Sequence, residues 1–292
     1  MKKGFRTLLL GLTLILSLGI LAGCGSDATK SGGDNSVKQS TIEQIKERGK
    51  IRIGVFSDKP PFGYVDANGK NQGYDVYFAK RIAKDLLGDE NKVEFVLVEA
   101  VSRVEVLEAN KVDIILANFT VTPERKEKVD FANPYMKVGL GVVSPDGALI
   151  TDVNQLKGKK LIVNKGTTAE TYFVQNHPEI ELLKYEQNTE AFQALKDGRG
   201  AALAHDNTLL FAWARENQGY TTGITKLGSL DYIAPAVKKG NIELKDWLNE
   251  EIEKLASEQF FHKDFAETLL PAYGESIQAD DVVIDGLSLI HI

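Results

Sequence analysis

The stretch KVDIILANFTVTPER, residues 111–125, decides the fold, because an apolar run ends in it and a helix begins a few residues later. Val112 to Leu116 is apolar enough for a strand that is buried on both faces. Thr122 and Pro123 are the residue types of an N-cap and a first helical position. The stretch therefore predicts one strand–helix unit of an α/β fold.

Strand-like and helix-like segments alternate on both sides of this stretch. Before it, the sequence predicts strands at 51–56 and 93–98, and helices at 41–48, at 76–87 with Asp75 as N-cap, and at 102–109 with a Ser102–Glu105 capping box. After Pro145 it predicts strands at 161–163, 182–185 and 201–204, and helices after Thr151 and at 168–176, 189–196, 207–217 and 242–257. This alternation predicts two α/β units, each with a largely parallel sheet flanked by helices.

Composition and motif spacing exclude several classes of function. The 292 residues are 43% hydrophobic and 26% charged, which is typical of a globular protein, and the formal net charge of −6 argues against a nucleic-acid partner. The four histidines lack metal-ligand spacing, and the chain has no Gly-x-Ser-x-Gly elbow. We therefore expect no metal, no cofactor and no catalytic residue.

The N-terminus has the pattern of a targeting signal. A basic MKKGFR precedes an apolar stretch at 8–20 and then Leu-Ala-Gly-Cys at 21–24. This pattern resembles a bacterial lipoprotein signal, so we expect residues 1–23 to be removed and Cys24, the only cysteine, to carry a lipid anchor outside the cytoplasmic membrane. The alternative is a short membrane anchor that is retained. Residues 24–40 are rich in Gly, Ser, Asp and Lys, which predicts a flexible tether.

The C-terminus is unusual. Residues 287–292, LSLIHI, match the translation of a common transposon-adaptor end used in sequencing libraries. We therefore expect these six residues to be non-native and dispensable for folding.

Arg125 is the first candidate for a ligand-binding side chain. Ligands of open α/β sheets bind outside the carboxyl ends of the strands, where residues 117–125 are predicted to lie. Arg125 can offer a two-pronged hydrogen-bonding fork to a carboxylate, supported by the hydroxyls of Thr120 and Thr122 and by free helix amides. The alternative is a surface arginine paired with Glu124 or Asp130. The residue types alone leave both interpretations open.

Three further loops carry candidate site residues. GTTAE at 166–170 opens a helix with a glycine and two threonines, and it suits a carboxylate better than a phosphate because it lacks the end of a P-loop. Asp206 ends a strand, where a buried carboxylate needs a cation such as an ammonium group, although it could simply cap the helix from Asn207. Phe62 and Tyr64, in PPFGY, are candidates for an apolar pocket wall or for the core.

These motifs resemble a known family. PPFGY (60–64), GYDV (73–76), KVDIILANFTVTPER, VDFANPYM (129–136) and the GTTA loop are similar to the solute-binding proteins (family 3 type) of ABC importers for polar amino acids, over about 41–284. NKGTT, AHDNTLLFAW, IAPAVKKG and EQFFHK resemble its cysteine-binding branch most. The resemblance implies a two-lobed periplasmic-binding-protein fold (type II) with two hinge crossings. Lobe one would be 41–142 plus 234–284, and lobe two 143–233.

The resemblance also implies roles for single residues. Arg125 would hold the α-carboxylate of an amino acid with Thr120 and the Thr168 amide, and Asp206 would hold its α-ammonium group. The predicted site is completed by residues in the same motifs: Phe62, Tyr64 and Arg103 near the ligand's side chain, with Asn118, Thr122 and Thr167 beside them. Acid-binding relatives often carry a lysine where this chain has Phe56, which favours a small neutral ligand side chain.

The sequence thus predicts a monomeric, lipid-anchored receptor that closes on a polar amino acid, with L-cysteine favoured, and delivers it to an ABC permease. One alternative is an enzyme on the same fold, similar to cyclohexadienyl dehydratases. Others are a receptor for cystine, serine or another small polar amino acid, and a sensor or adhesin that uses the same pocket.

Overall fold

A computed structural model of the chain describes residues 40–284. The predicted signal peptide, Cys24, the predicted tether up to residue 39 and the predicted non-native tail lie outside the described residues. Within 40–284, none of the helices combines the length and the apolar character that a membrane crossing requires.

The described residues contain thirteen β-strands. They are β1 (Ile51–Val55), β2 (Asp58–Lys59), β3 (Gly63–Val65), β4 (Asn71–Gln72), β5 (Val93–Leu97), β6 (Ile114–Ile115), β7 (Val129–Phe131), β8 (Met136–Pro145), β9 (Lys160–Asn164), β10 (Glu181–Tyr185), β11 (Ala202–Asp206), β12 (Tyr220–Ile233) and β13 (Ala236–Lys238).

The same residues contain eleven α-helices. They are α1 (Thr41–Arg48), α2 (Tyr74–Leu87), α3 (Arg103–Glu108), α4 (Pro123–Lys126), α5 (Thr168–Asn176), α6 (Asn188–Lys196), α7 (Asn207–Glu216), α8 (Ile242–Ser257), α9 (Phe260–Asp264), α10 (Leu270–Tyr273) and α11 (Ala279–Val282). A π-helical turn, Phe265–Leu269, joins α9 to α10.

The strands form two five-stranded mixed sheets, which confirms the two-lobed α/β fold. The first sheet has the order β5-β1-β6-β13-β7, and the second has the order β10-β9-β11-β8-β12. In each sheet three neighbouring strands run parallel, and the other two pair antiparallel at one side. We call the parts of the chain built on these sheets lobe one and lobe two. The small sheet β2-β3-β4 packs beside α2 in lobe one.

The chain passes between the sheets twice. It leaves the first sheet after Phe131 and enters the second at Met136, and it returns between Ile233 and Ala236. β8 and β12 pair along their whole lengths, so residues 136–142, which the sequence assigned to lobe one, contribute to the second sheet. The predicted lobe boundaries stay predictions, because sheet membership does not define the point about which the lobes rotate.

β8 and β12 were not predicted as strands because glycines interrupt their apolar patterns. A Cβ atom at Gly141 would lie 2.9 Å from the Ile224 carbonyl oxygen, and one at Gly223 would lie 2.2 Å from the Ile150 carbonyl oxygen. Glycine is therefore required at both positions by close backbone approach.

The prediction that Asp75 caps α2 was wrong. The N-cap is Gly73, which contributes no side-chain hydrogen bond. Asp75 is instead fully buried, where it accepts hydrogen bonds from the Tyr135 hydroxyl at 2.5 Å and from the Asn118 backbone amide at 2.8 Å. The residue type suits both roles, and tertiary packing decided between them.

Two other local predictions also differ from the structure. Ser102 forms a capping box with Glu99, around a 3₁₀ turn, rather than with Glu105. The segment after Thr151 is a 3₁₀ turn, Val153–Leu156, rather than an α-helix.

The predicted amphipathic helix α8 returns the chain to lobe one, where it contacts α1, β7 and β13. Its buried leucines and isoleucine, at positions 244, 248, 252 and 255, recur every three or four residues and form one apolar face. Each such side chain stabilises the fold by about 1.5–3 kcal/mol through burial. A change such as Leu248→Ala is expected to cost about 2–5 kcal/mol.

Candidate functional site

Arg125 projects into the cleft from the first turn of α4. The Thr122 hydroxyl accepts a hydrogen bond from the Arg125 backbone amide at 3.3 Å, which confirms the predicted N-cap. The guanidinium donates to the carbonyl oxygens of Thr120 at 2.7 Å and Gly166 at 2.8 Å. Gly166 belongs to lobe two, so Arg125 reaches across the cleft instead of pairing with a surface carboxylate.

Arg103 is a second cation beside Arg125, and it is fully buried whereas Arg125 is half-buried. Its guanidinium donates to the carbonyl oxygens of Ala117 at 2.9 Å and of Gly166 at 3.1 Å. The Phe119 ring contacts both guanidinium groups, with centroid distances of 4.3 Å to Arg103 and 4.6 Å to Arg125. Burial lowers the pKa of Arg125 to about 10, which leaves it a cation at neutral pH. These hydrogen bonds use only carbonyl dipoles, and within residues 40–284 neither guanidinium forms a direct ion pair, although the Asp206 carboxylate acts on both from a greater distance.

Lys59 and Asp206 form an ion pair across the cleft. The Lys59 ammonium lies 2.8 Å from an Asp206 carboxylate oxygen and 2.7 Å from the Asn118 side-chain oxygen. Lys59 and Asp206 are 1% and 4% exposed, so the pair is shielded from water. Burial opposes ionisation of Asp206, but the Lys59 charge and the His205 ring outweigh it and hold the pKa of Asp206 below its ordinary value. Asp206 makes no capping bond to α7, so the alternative role is not observed.

The loop before α5 brings the N-terminal amides of that helix to the cleft. Thr167 is the N-cap of α5, and its hydroxyl accepts from the Glu170 amide at 3.2 Å and donates to the Asn164 carbonyl at 2.7 Å. A Cβ atom at Gly166, where φ is +74°, would lie 2.6 Å from Val101 of lobe one. Glycine therefore allows the two lobes to touch here.

Most of the predicted site residues line one cavity of about 10 Å³. Together with Lys59, they are Phe56, Arg103, Asn118, Thr120, Arg125, Thr167, Thr168 and Asp206. A volume of this size accommodates about one water molecule, so the lobes are drawn together around the charged groups.

Three predicted residues lie elsewhere. Tyr64 lines a separate cavity with Phe192 and Trp213, so its predicted place in the ligand pocket differs from the structure. Phe62 is fully buried in the core, although its ring centroid is 5.7 Å from the Lys59 ammonium. Thr122 lines a neighbouring cavity that also touches Arg125. The sequence shows that these aromatic residues lie on a proline-braced loop, but it does not specify whether each ring points into the cleft or into the core.

Comparison with known proteins identifies the family. Residues 51–264 match the model of the bacterial extracellular solute-binding proteins, family 3. The chain belongs to this family. It is 61% identical to the structure of a cysteine-binding protein from Campylobacter jejuni, with 85% of this chain and 100% of that chain covered and a TM-score of 0.84.

Two other relatives of this family 3 protein are informative. A solute receptor for L-cysteine of Neisseria gonorrhoeae is 60% identical, with 84% of this chain and 100% of that chain covered and a TM-score of 0.83. The ABC transporter glutamine-binding protein GlnH of Bacillus subtilis is 36% identical over 260 residues, which cover 88% of this chain and 94% of that protein.

Sequence reasoning about this family 3 protein missed three residues that line the cavity: Ala100, His205 and, as the only cation among them, Lys59. Its ammonium lies 5.2 Å from the centroid of the Phe56 ring, and the Arg103 guanidinium lies 5.6 Å from the same centroid. Lys59, three residues after Phe56, thus places a cation beside the Phe56 ring, so Phe56 by itself gives no argument against an anionic ligand side chain. The available signal was a lysine directly before the proline-braced PPFGY loop.

Proposed function

We propose that this solute-binding protein is the receptor of an ABC importer and that it closes on a free polar amino acid, in the first place L-cysteine. The observation that carries the proposal is the placement of opposite charges on opposite lobes. The Arg125 guanidinium comes from lobe one and the Asp206 carboxylate from lobe two, and both line one buried cavity.

A zwitterion complements this arrangement. Its α-carboxylate accepts hydrogen bonds from the Arg125 guanidinium and from the free amide of Thr168, and its α-ammonium group donates to the Asp206 carboxylate. The ligand's ammonium group thereby replaces the Lys59 ammonium, which lies 2.8 Å from an Asp206 carboxylate oxygen. Only the closed form satisfies both ends of the ligand, so binding shifts the lobes towards closure.

The expected affinity is consistent with a receptor for a very small ligand. Cysteine has about seven heavy atoms, and at a limit of about −1.5 kcal/mol per atom it can gain about −10 kcal/mol. This corresponds to a dissociation constant below about 1 μM. Such efficiency requires that both charges of the ligand be buried and paired, which is what two lobes provide.

The choice of cysteine rests on two observations. The two structural relatives at 60% and 61% identity are described as binding cysteine, whereas the relative at 36% is described as binding glutamine. The lobes also touch at Gly166, so a ligand with a short side chain separates them less than one with a long side chain.

We also propose that the protein is lipid-anchored through Cys24 and hands its ligand to a permease. The basic, apolar and Leu-Ala-Gly-Cys segments of the first 24 residues support the anchor. Replacing Cys24 by serine is expected to abolish incorporation of a labelled fatty acid and to release the protein from the membrane fraction. Unchanged labelling of this variant would contradict the anchor.

A ligand screen tests the receptor function. The purified protein is heated with each of the twenty amino acids, with cysteine kept reduced and cystine as a separate sample. At a concentration about 1,000 times the dissociation constant, a ligand stabilises the protein by about 4 kcal/mol, which gives a clear shift in melting temperature. We expect the largest shift with cysteine. A larger shift with cystine or glutamine would change the assigned ligand, and turnover of prephenate or arogenate would replace the receptor function by an enzymatic one.

A further inference from the structure

The cavity wall carries more positive than negative charge. Three cations line it, Lys59, Arg103 and Arg125, against one carboxylate, that of Asp206. The next carboxylate, Asp75, is occupied by the Tyr135 hydroxyl and the Asn118 amide, and burial raises its pKa to about 7. A zwitterion adds no net charge, so it leaves this excess unchanged.

Binding of a zwitterion also separates Lys59 from its counter-ion. When the ligand's ammonium group takes Asp206, the Lys59 ammonium retains only the Asn118 side-chain oxygen and the faces of Phe56 and Phe62. Lys59 is 1% exposed and cannot turn to water without opening the site. A buried cation without an anion costs several kcal/mol, so a negative charge on the ligand near Lys59 would stabilise the complex and keep Lys59 protonated.

Resting on the function proposed above, we propose that the site binds cysteine as its thiolate and that the Lys59 ammonium is the counter-ion of the ligand's sulfur. The S–H bond breaks, the proton leaves to solvent, and the electron pair remains on sulfur as the negative charge that Lys59 needs. The bound ligand then carries a net charge of −1, which reduces the excess of two positive charges on the wall to one. The Arg103 guanidinium, which lies 5.6 Å from the centroid of the Phe56 ring, is a second cation near the same charge.

This pairing predicts that the site distinguishes cysteine from serine. The two ligands differ by one atom, so shape alone provides little discrimination. A thiol ordinarily ionises near a pKa of about 8.5, and an adjacent cation lowers that value. A serine hydroxyl does not ionise in this range, so its complex leaves Lys59 unpaired.

The first test uses the unmodified protein and the ultraviolet absorbance of the thiolate. Free cysteine is about 3% thiolate at pH 7, as follows from a pKa of about 8.5. We expect nearly all of the bound cysteine to absorb as thiolate at that pH. Cys24 is the only cysteine of the chain, and its contribution cancels in the difference spectrum. A difference spectrum with no more thiolate than the free ligand would overturn the proposal.

The second test counts protons by calorimetry in buffers of different ionisation enthalpy. Other groups that face this corner can also change protonation on binding: Lys59 on β2, Asp75 on α2, Arg103 on α3, Arg125 on α4, Tyr135, His205 and Asp206 on β11, and Asp231 on β12. Serine and S-methylcysteine share these contributions but cannot form a thiolate. We expect cysteine to release about one proton more than either at pH 7 if Lys59 stays protonated in all three complexes, and an equal count together with no thiolate absorbance would contradict the proposal.

Variants assign the effect to one side chain. In Lys59→Met, we expect the thiolate absorbance to disappear and the affinity for cysteine to fall to that for serine. Lys70→Met, at an exposed lysine of the same lobe, is the matched control and should behave as the unmodified protein. Retained thiolate absorbance in Lys59→Met would assign the counter-ion role elsewhere, and a variant that does not fold leaves the spectrum of the unmodified protein decisive. Cysteine bound with its thiol protonated refutes this inference alone, whereas failure of every amino acid to bind refutes the proposed function.

Discussion

Replacing Arg125 by alanine separates ligand binding from folding. The side chain donates to the carbonyl oxygens of Thr120 and Gly166 and stacks on Phe119, so it contributes to the closed structure as well as to the proposed carboxylate site. The two contributions differ in size. The carbonyl bonds are replaceable by water when the lobes open, whereas a buried ligand carboxylate has no substitute for the guanidinium.

The expected magnitudes follow from these contacts. Loss of two hydrogen bonds costs about 0.5–1.5 kcal/mol each, and removal of a buried cation that lacks an anion offsets part of that cost. We therefore expect the free energy of unfolding of the ligand-free protein to change by about 1 kcal/mol or less, a shift of about 2–4 °C in melting temperature. Leaving the ligand carboxylate buried without its partner costs about 2–5 kcal/mol, which weakens binding by about 30-fold to about 4,000-fold.

Thermal melts of the ligand-free protein and calorimetric titration with cysteine measure these two effects. Arg199→Ala is the matched control, because that arginine is 60% exposed and pairs with Asp197 at 2.8 Å in lobe two, away from the cavity. The control should change neither quantity. Arg125→Ala that binds cysteine within about threefold of the unmodified protein, or that is unfolded without ligand, would refute the reasoning.

Three further changes probe the remaining contacts. Asp206→Asn removes the counter-ion of both Lys59 and the ligand's ammonium group, so cysteine binding should fall by at least about 30-fold in a calorimetric titration; binding within about threefold would contradict the role of Asp206. Asp75 has a pKa raised to about 7 by burial, so below that pH the folded state binds more protons than the unfolded state, and this group should add up to about 1.4 kcal/mol of stability per unit as the pH falls from 7 towards 4. Burial also raises the pKa of Glu99 to about 7, so denaturant unfolding should show a steeper increase in the unmodified protein than in Asp75→Asn. Identical pH profiles would be evidence against this role of Asp75. Asp58 accepts hydrogen bonds from the Asn188 side chain and from the Thr189 backbone amide, in the first turn of α6 across the cleft. Asp58→Ala should therefore favour the open form, which gives a larger radius of gyration in X-ray scattering and several-fold weaker binding. An unchanged radius and affinity would show that this contact does not hold the lobes closed.

The sequence predicted the parts of the site that depend on local signals. Thr122, Pro123 and Arg125 lie within four residues, so capping preference alone fixed where α4 begins and where the arginine side chain starts. Asp206 followed from the high cost of a carboxylate at the end of a buried strand. The two-lobed fold followed from the alternation of strands and helices together with the family resemblance.

The parts that were missed depend on contacts distant in sequence. Lys59 is separated from Asp206 by 147 residues, and lysine is ordinarily an exposed residue, so nothing local marks it as buried. Asp75 suits an N-cap, and only the positions of Tyr135 and Asn118 show that it lies in the core. The pairing of β8 with β12 was missed for the same reason, because it joins segments that are about eighty residues apart in sequence and have glycine-rich patterns.

A crystal structure of the protein grown with L-cysteine tests the central claim most directly. We predict that the ligand lies between the lobes, with its carboxylate on the Arg125 guanidinium and its ammonium group on the Asp206 carboxylate, and that the Lys59 ammonium has left Asp206, from which it is now 2.8 Å away. An intact Lys59–Asp206 pair with cysteine bound outside this cavity would contradict the account.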